Sequence, residues 1–278
     1  MDADVAAPSV RGTTGTARRP AMAAGTIRVR NVRVTYGEVV ATEDVSFDVR
    51  PGEFVSLIGP SGCGKSSLLR TVGGLLQPAS GEVRLGEVPI LGPVPDKIAF
   101  VFQDLALYPW RSARRNVELA LELQGVPRRE RRERALAALR DVGLGDVPEA
   151  FPGQLSGGMK QRVAVARALV SKAETLLLDE PFAALDEQTR LVLGAQLLTL
   201  LEQHGKTVLF VTHSLQEAAY LSDRIVVMTP RPARVKEIIE VPLPRPRTPE
   251  MMRRPEFHAL QHRLMGLLLP DPPGGDGR

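Results

Sequence analysis

The sequence predicts an α/β protein built around a mixed, largely parallel sheet, and three observations carry that expectation. The segments IRVRNVRVTY (27–36) and VSFDVR (45–50) alternate apolar and polar residues, as antiparallel strands do when one face lies on a core. Phe54 to Ile58 (FVSLI) is a continuous run that is apolar but for Ser56, and similar runs follow at Leu176 to Asp179, Val208 to Thr212 and Ile225 to Met228. Strands that are apolar throughout are buried on both faces, the condition of a parallel sheet covered by helices. Between about 104 and 171 the texture changes to helical spacing with dense Arg and Glu, as in RRERRERALAALRDVGL, which reads as a helical insertion. Within it Arg129/Glu133 and Glu130/Arg134 stand four apart and can pair along a solvated helix face.

Bulk properties exclude several classes. The chain has 278 residues, 43% hydrophobic and 24% charged, which suits one core unit with an added subdomain and tails. A net charge of +4 is mild, and Glu is interleaved with Arg, so no basic stripe marks a nucleic-acid partner. One cysteine, Cys63, rules out an intrachain disulfide and fits a reducing compartment. The first 25 residues lack the apolar run of a signal peptide, and no stretch reaches the ~18–20 apolar residues that cross a bilayer. The expectation is a protein of the cytoplasm, held at a membrane only by something else. Residues 1–25 read as a disordered arm. From Pro242 a PLPRPRTP linker leads to a short amphipathic helix ending near Leu269 and a flexible end, so 246–278 forms a C-terminal extension.

The chemistry begins after FVSLI. Gly59-Pro60-Ser61-Gly62-Cys63-Gly64-Lys65-Ser66 fits G-x-x-x-x-G-K-[ST], directly behind a strand and ahead of the helical SSLLRTVGGLL. Gly59, Gly62 and Gly64 allow turns and a close backbone approach, so consecutive N–H groups and a helix N-terminus can cradle phosphate. Lys65 reaches the β and γ phosphates, and the Ser66 hydroxyl can ligate Mg²⁺. Cys63 lies in the loop, either as a small residue valued for its backbone or as a thiol whose modification blocks the site.

Other polar residues stand where apolar strands end. Asp179 can hold Mg²⁺, and Glu180 beside it can polarise a water for attack on the γ-phosphate. His213, after VLFVT, can donate to the γ-phosphate, and Gln103, after IAFVF, can touch both Mg²⁺ and the water. A second glycine loop, Leu155-Ser156-Gly157-Gly158-Met159, precedes the helical KQRVAVARALV and offers a second anion site. Two copies packed head to tail, each cradle facing the other's serine-glycine loop, give a physical reason for having both.

With GPSGCGKSS, Gln103, LSGGMKQR, LLLDEP, ALD ending at Asp186 and His213 in this order, the chain resembles the ATPase domain of ABC transporters over residues 26–245. That resemblance implies a P-loop NTPase with a mixed/parallel sheet core, an antiparallel β subdomain and an α-helical subdomain inserted at about 104–171. It implies ATP and Mg²⁺ as ligands, with Ser67 completing the nucleotide loop. Tyr36 would stack on adenine, Ser156, Gly157 and Gly158 would hold the partner's γ-phosphate, and Asp186 would act across the dimer. The partners implied are a second ATPase subunit, identical or not, an integral membrane permease and, indirectly, an extracytoplasmic solute-binding protein. The chain would then sit peripherally on the cytoplasmic face of the membrane.

Finer features, LYPWRSARRNV, PFAALDEQTR, THSLQEAAYLSDRIVVM and the PRPR…PEF tail, resemble the importer group for nitrate, sulfonate, taurine and bicarbonate. By that likeness the loop from Tyr108 to Arg111, with Trp110, would meet a coupling helix of the permease. Ala184 stands where such domains often have Ser. Importers of other cargo use the same domain, as do DNA-repair and translation ATPases. The latter two carry coiled coils, zinc modules or tandem domains, whereas this chain has one P-loop and neither heptads nor a cysteine cluster.

Overall fold

The computed structural model describes residues 25–183 and 185–269, and the expectations for the N-terminal arm, Ala184 and the chain end beyond Leu269 fall outside them. The alternating segments at the start form β1 (Ile27–Tyr36) and β2 (Val39–Val49), paired antiparallel from Ile27↔Val49 to Tyr36↔Val39. With β4 (Ser80–Leu85) and β5 (Val88–Pro89) they make a four-stranded sheet in the order β2-β1-β4-β5. Val29, Val32, Val34, Val45 and Phe47 turn inward, and an irregularity between Val29 and Val32, where Asn31 has φ +47°, keeps both of those valines on the inner face despite their spacing of three.

The second sheet has six strands. Its parallel part comprises β3 (Phe54–Ile58), β6 (Ile98–Val101), β7 (Thr175–Asp179), β8 (Thr207–Val211) and β9 (Arg224–Met228). The order is β10-β9-β3-β8-β7-β6, and every residue of β3, β7 and β8 is buried. The edge strand β10 (Val235–Glu240) runs antiparallel to β9 and was not legible in the sequence. Only Ile239 in it is buried, while Lys236 and Glu240 face solvent. Charges on an edge strand hide its pattern and also protect it from pairing with another chain.

Helix α1 (Lys65–Val72) follows β3 at once, and its apolar side, Leu68, Leu69 and Val72, packs into the core shared by the two sheets. The helical insertion consists of α2 (Ala113–Leu123), α3 (Arg128–Asp141) and α4 (Gly157–Leu169). They meet through Val117, Leu121, Ala135, Leu139, Val163 and Ala164, continuous with the core on the other face of the sheet. The Arg129–Glu133 and Glu130–Arg134 pairs form, at 3.2 and 3.3 Å on the exposed face of α3. Such pairs contribute only about 0.3–0.5 kcal/mol each.

Helices α5 (Glu187–Gln203) and α6 (Leu215–Leu221) return the chain to the sheet, and α7 (Pro255–Leu268) packs on α6 through Phe257, Leu260 and Leu264. Four N-termini are capped by side chains of the type expected: Ser112 for α2, Ser156 for α4, Asp186 for α5 and Ser214 for α6. Helix α1 is different. Its N-cap is Gly64, with no side-chain cap and no acidic residue in the first turn. No helix among the described residues is long and apolar enough to cross a membrane.

Phe210 ties the layers together, with ring centroids 5.5 Å from Phe54 and 6.1 Å from Phe182 and no exposure to solvent. Phe210→Ala is expected to lower the unfolding free energy by about 3–5 kcal/mol in a urea titration, and Phe210→Leu by clearly less.

Candidate functional site

Parallel pairing decides where the polar residues meet. Leu57 is level with Val211, Val211 with Asp179, and Ile58 with Val227, so β3, β7, β8 and β9 all end at one edge. The loop after β3, residues 59–64, therefore lies beside the ends of its neighbours. Gly64 enters α1 at φ +115°, and a Cβ there would stand 2.9 Å from Thr42 Cγ2 and 3.1 Å from the Ala41 carbonyl oxygen. No side chain fits that conformation and that gap together. The first-turn N–H groups of α1 are left facing the loop, the arrangement that binds phosphate.

The side chains at this edge are closely coupled. Lys65 is buried, and its Nζ donates to the carbonyls of Gly59 (2.8 Å) and Pro60 (3.0 Å), which holds the loop around it. Ser66 Oγ donates to Asp179 Oδ1 at 2.8 Å, joining the first turn of α1 to the end of β7. Asp179 is 1% exposed, and burial raises its pKa against the opposing effects of the Ser66 hydrogen bond and Arg70. A buried carboxylate with a hydroxyl beside it offers two hard oxygens to a divalent cation, which would relieve the cost of that charge. No group of three or more His, Cys, Asp or Glu able to hold a metal exists among the described residues. A cation placed here would take these two oxygens together with neutral oxygens, phosphate or water.

Glu180 follows with φ +45°, an unusual conformation for a residue with a side chain, held by its N–H donating to Val211 O at 3.0 Å. Such backbone costs about 1–3 kcal/mol and is concentrated at functional sites. The Glu180 carboxylate lies 3.3 Å from Nδ1 of His213, the second residue after β8. Gln103 is exposed and lines the same cleft as Glu180, Gly157 and Lys160, a space of about 670 Å³. Among the described residues no hydrogen bond links Gln103 to the Ser66–Asp179 pair. Tyr36 is half exposed, and its hydroxyl donates to Ser67 Oγ at 3.0 Å, so the ring stands beside the start of α1.

Cys63 is buried, and burial pushes its thiol pKa up. Ser61 is exposed and Pro60 half-buried on the loop's outer turn. Ser156 and Asp186 are both exposed, and each accepts from a backbone N–H of its own helix, Met159 and Thr189. Gly158 packs beneath them, where a Cβ would stand 3.2 Å from Leu185. Among the described residues no hydrogen bond or ion pair joins Ser156 or Asp186 to the loop at 59–67.

Several contributors escaped the sequence. Glu217 on α6 is buried, accepts from the Thr212 hydroxyl and lies 3.3 Å from Arg190 Nε on α5. Burial raises its pKa, opposed by the Thr212 hydrogen bond and Arg190. Arg190 also donates to the Leu185 carbonyl at 2.9 Å, and Thr212 Oγ1 accepts from the Ser214 N–H at 2.9 Å. The segment before Asp186 is thereby wired to the two residues flanking His213. The signal was present as spacing, since Arg190 and Glu217 each stand four residues after a functional position, but nothing local said that α5 and α6 touch.

The phosphate loop, the strand-end carboxylates and the sheet order together define a P-loop NTPase cassette. A family model described as ABC transporter matches residues 42–183. The chain is 45% identical over 236 residues to a nitrate import ATP-binding protein of Synechococcus elongatus, covering 84% of this chain and 86% of that protein. It is 45% identical over 230 residues to a taurine import ATP-binding protein of Chromobacterium violaceum, covering 81% and 88%. A solved ATP-binding cassette, in a dimeric post-hydrolysis state bound to ADP and Pi, superposes with a TM-score of 0.70 and 37% identity over 77% of this chain and 98% of that one. The chain belongs to the ABC transporter family.

Arg190→Met is expected to destabilise the fold by about 3 kcal/mol, because Glu217 is left buried without its cation, and adding Glu217→Gln should recover most of the loss. Chemical denaturation of the two single variants and the double variant measures the cycle, and a double variant no more stable than Arg190→Met contradicts it.

Proposed function

We propose that this chain binds ATP with Mg²⁺ and hydrolyses it as the motor subunit of an importer for a small solute, working on the cytoplasmic face of a membrane. The reading is carried by the 2.8 Å contact between Ser66 and Asp179, with Glu180 next in the chain and clasped by His213. That contact brings the phosphate loop and the strand-end acid within reach of one cation. Residues 59–67 bind the phosphates through backbone N–H groups and Lys65, and Tyr36 offers its ring to the base. Ser66 and Asp179, with Gln103 from across the cleft, hold the metal. Mg²⁺, when bound, neutralises charge on the β and γ phosphate oxygens.

Glu180 takes the proton as the water oxygen attacks the γ-phosphorus and the bond to the ADP oxygen breaks. His213 orients the Glu180 carboxylate and senses the γ-phosphate. Two cassettes close head to tail, each offering Ser156, Gly157, Gly158 and Asp186 to the other's nucleotide. Support comes from the exposure of Ser156, Gly157 and Asp186 on the single chain and from the dimeric state of the solved relative. Hydrolysis removes the phosphate that joins the two halves, and the reopening drives a permease.

The surface for that permease is an apolar groove of about 600 Å³ between the sheet domain and the helical insertion, lined by Leu75, Phe100, Phe102, Tyr108 and Leu123. Leu123 is 81% and Trp110 70% exposed, more than a buried-loop role for Trp110 allows. The rim at 108–112 is firmly held, because buried Asn116 bonds to the backbone of Tyr108, Arg111 and Ser112. A rigid apolar rim suits a docked helix. For the cargo, the nitrate and taurine importers among its relatives favour a small oxyanion-bearing solute, recognised by an extracytoplasmic binding protein and the permease rather than by this chain.

Glu180→Gln is expected to keep ATP binding, lower turnover at least about 100-fold and trap a dimer with Mg-ATP, read by nucleotide titration, phosphate release and size-exclusion chromatography. Turnover near the wild-type rate removes the assignment of the base. Leu123→Glu should abolish co-purification with a multi-span membrane protein while ATP affinity stays unchanged, and retention of that complex rejects the groove as the docking surface.

A further inference from the structure

Three parts of the chain meet around the outer turn of the phosphate loop. The first is the loop itself. The second is the turn between β9 and β10, which is brought alongside because β9 pairs with β3. Contact is close at the base: a Cβ on Gly59 would lie 3.1 Å from both Cβ and the carbonyl oxygen of Met228. The third is β2, whose Ala41 and Thr42 crowd Gly64.

The turn is also fastened to β2. The Ala233 N–H donates to Ala41 O at 3.0 Å, the Glu43 N–H donates to Ala233 O at 2.9 Å, and Arg234 pairs with Glu43 at 2.7 Å. Within the turn the Arg234 N–H donates to Thr229 Oγ1 at 2.9 Å, and the Thr229 N–H to Arg234 O at 3.0 Å. At the tip of this mounted turn, Arg231 extends an exposed side chain whose guanidinium donates to the carbonyl oxygen of Gly62.

We propose that Arg231 is a positioning residue for the nucleotide site: from a turn anchored on β2, it grips the Gly62 carbonyl and keeps the phosphate loop in its binding shape. The physics is that of one peptide plane. Gly62 has φ +72°, a region in which glycine moves freely, so the loop can flip here at little cost. An external donor on the Gly62 carbonyl fixes that plane, and with it the direction of the following N–H, which belongs to Cys63. A charged donor makes the stronger kind of hydrogen bond, and its charge stands beside a loop that receives phosphate. The other fixed points are already built in, since Gly59 is held by Met228 and Lys65, and Gly64 by β2. Within the loop the peptide plane after Gly62 has one restraint, a long 3.3 Å donation from the Cys63 N–H to the Pro60 carbonyl. Among the described residues Arg231 is the side chain that holds its other end, the Gly62 carbonyl.

This inference rests on the nucleotide-site reading given above, so the test carries one arm that needs no nucleotide. Cys63 is the sole cysteine of the chain and lies buried beside Gly62, so its alkylation rate reports how often the loop opens. Arg231→Ala is expected to raise the rate of iodoacetamide labelling of Cys63 roughly 10-fold in the nucleotide-free protein, to raise KM for ATP roughly 10-fold and to leave kcat within about 2-fold. Arg231→Lys keeps the charge without the fork, and should fall between the two in both measurements.

Since Arg231 lies on the surface, its variants should match the wild type in thermal midpoint, and Arg231→Lys guards against a fold defect in the alanine variant. A wild-type labelling rate in Arg231→Ala overturns the proposal whatever KM does, because the loop is then no looser. Faster labelling with unchanged KM overturns it too, because the grip then has no bearing on nucleotide. Faster labelling in a chain whose wild type turns over no ATP upholds the brace on the loop and sinks the functional reading instead.

Discussion

The in-register parallel pairing of β3 with β8 and β9, and of β8 with β7, is the constraint on which everything else depends. Parallel strands that start level must end level, so loops from distant parts of the chain are delivered to one edge. Gly59, Glu180, Thr212 and Thr229 follow β3, β7, β8 and β9 respectively, separated by up to 170 positions in the chain yet neighbours in space. The strands can do this because they are buried on both faces. The interiors of β7 and β8 are apolar and that of β3 is apolar but for Ser56, which is paired with Ser222, so the reactive polar groups stand at the strand ends.

That edge holds groups that are individually costly. A left-handed glutamate, a buried aspartate and a buried glutamate would each destabilise an isolated element. They persist because each is restrained by a neighbour on a different element: Glu180 by the Val211 carbonyl, Asp179 by Ser66 and Glu217 by Thr212 and Arg190. The sheet core supplies the stability that these groups draw on, and it does so without using any of the polar residues. The same division explains the caps. Ser156, Asp186 and Ser214 each close a helix N-terminus while standing at or next to a position of functional interest, so local folding and exposed chemistry share one side chain.

Much of the fold was legible because its signals are local. FVSLI became β3 residue for residue, and LLLD, VLFVT and IVVM became β7, β8 and β9 to within one residue at either end. The insertion was visible as a change of period, and the Arg129–Glu133 pairing as a spacing of four. β10 was not visible, because an edge strand with alternating charge resembles a solvated loop. Nor were β4 and β5, which are short and largely exposed. Trp110 shows the same limit at one residue. Its type could not tell whether the loop covers it, whereas Asn116 pinning the backbone around it leaves the ring in solvent.

By itself the sequence determined the class of fold, the phosphate loop, the strand-end acids and the second glycine loop, because each is a short run whose chemistry and spacing suffice. Tertiary structure alone decided which of these come together in one chain. Ser66 meets Asp179, Glu180 meets His213, and Arg231 meets Gly62, whereas Ser156 and Asp186 are turned outward and tied only to their own helices. The reason is that strand order and helix packing are settled by long-range burial of apolar surface, a quantity that no local window of residues contains.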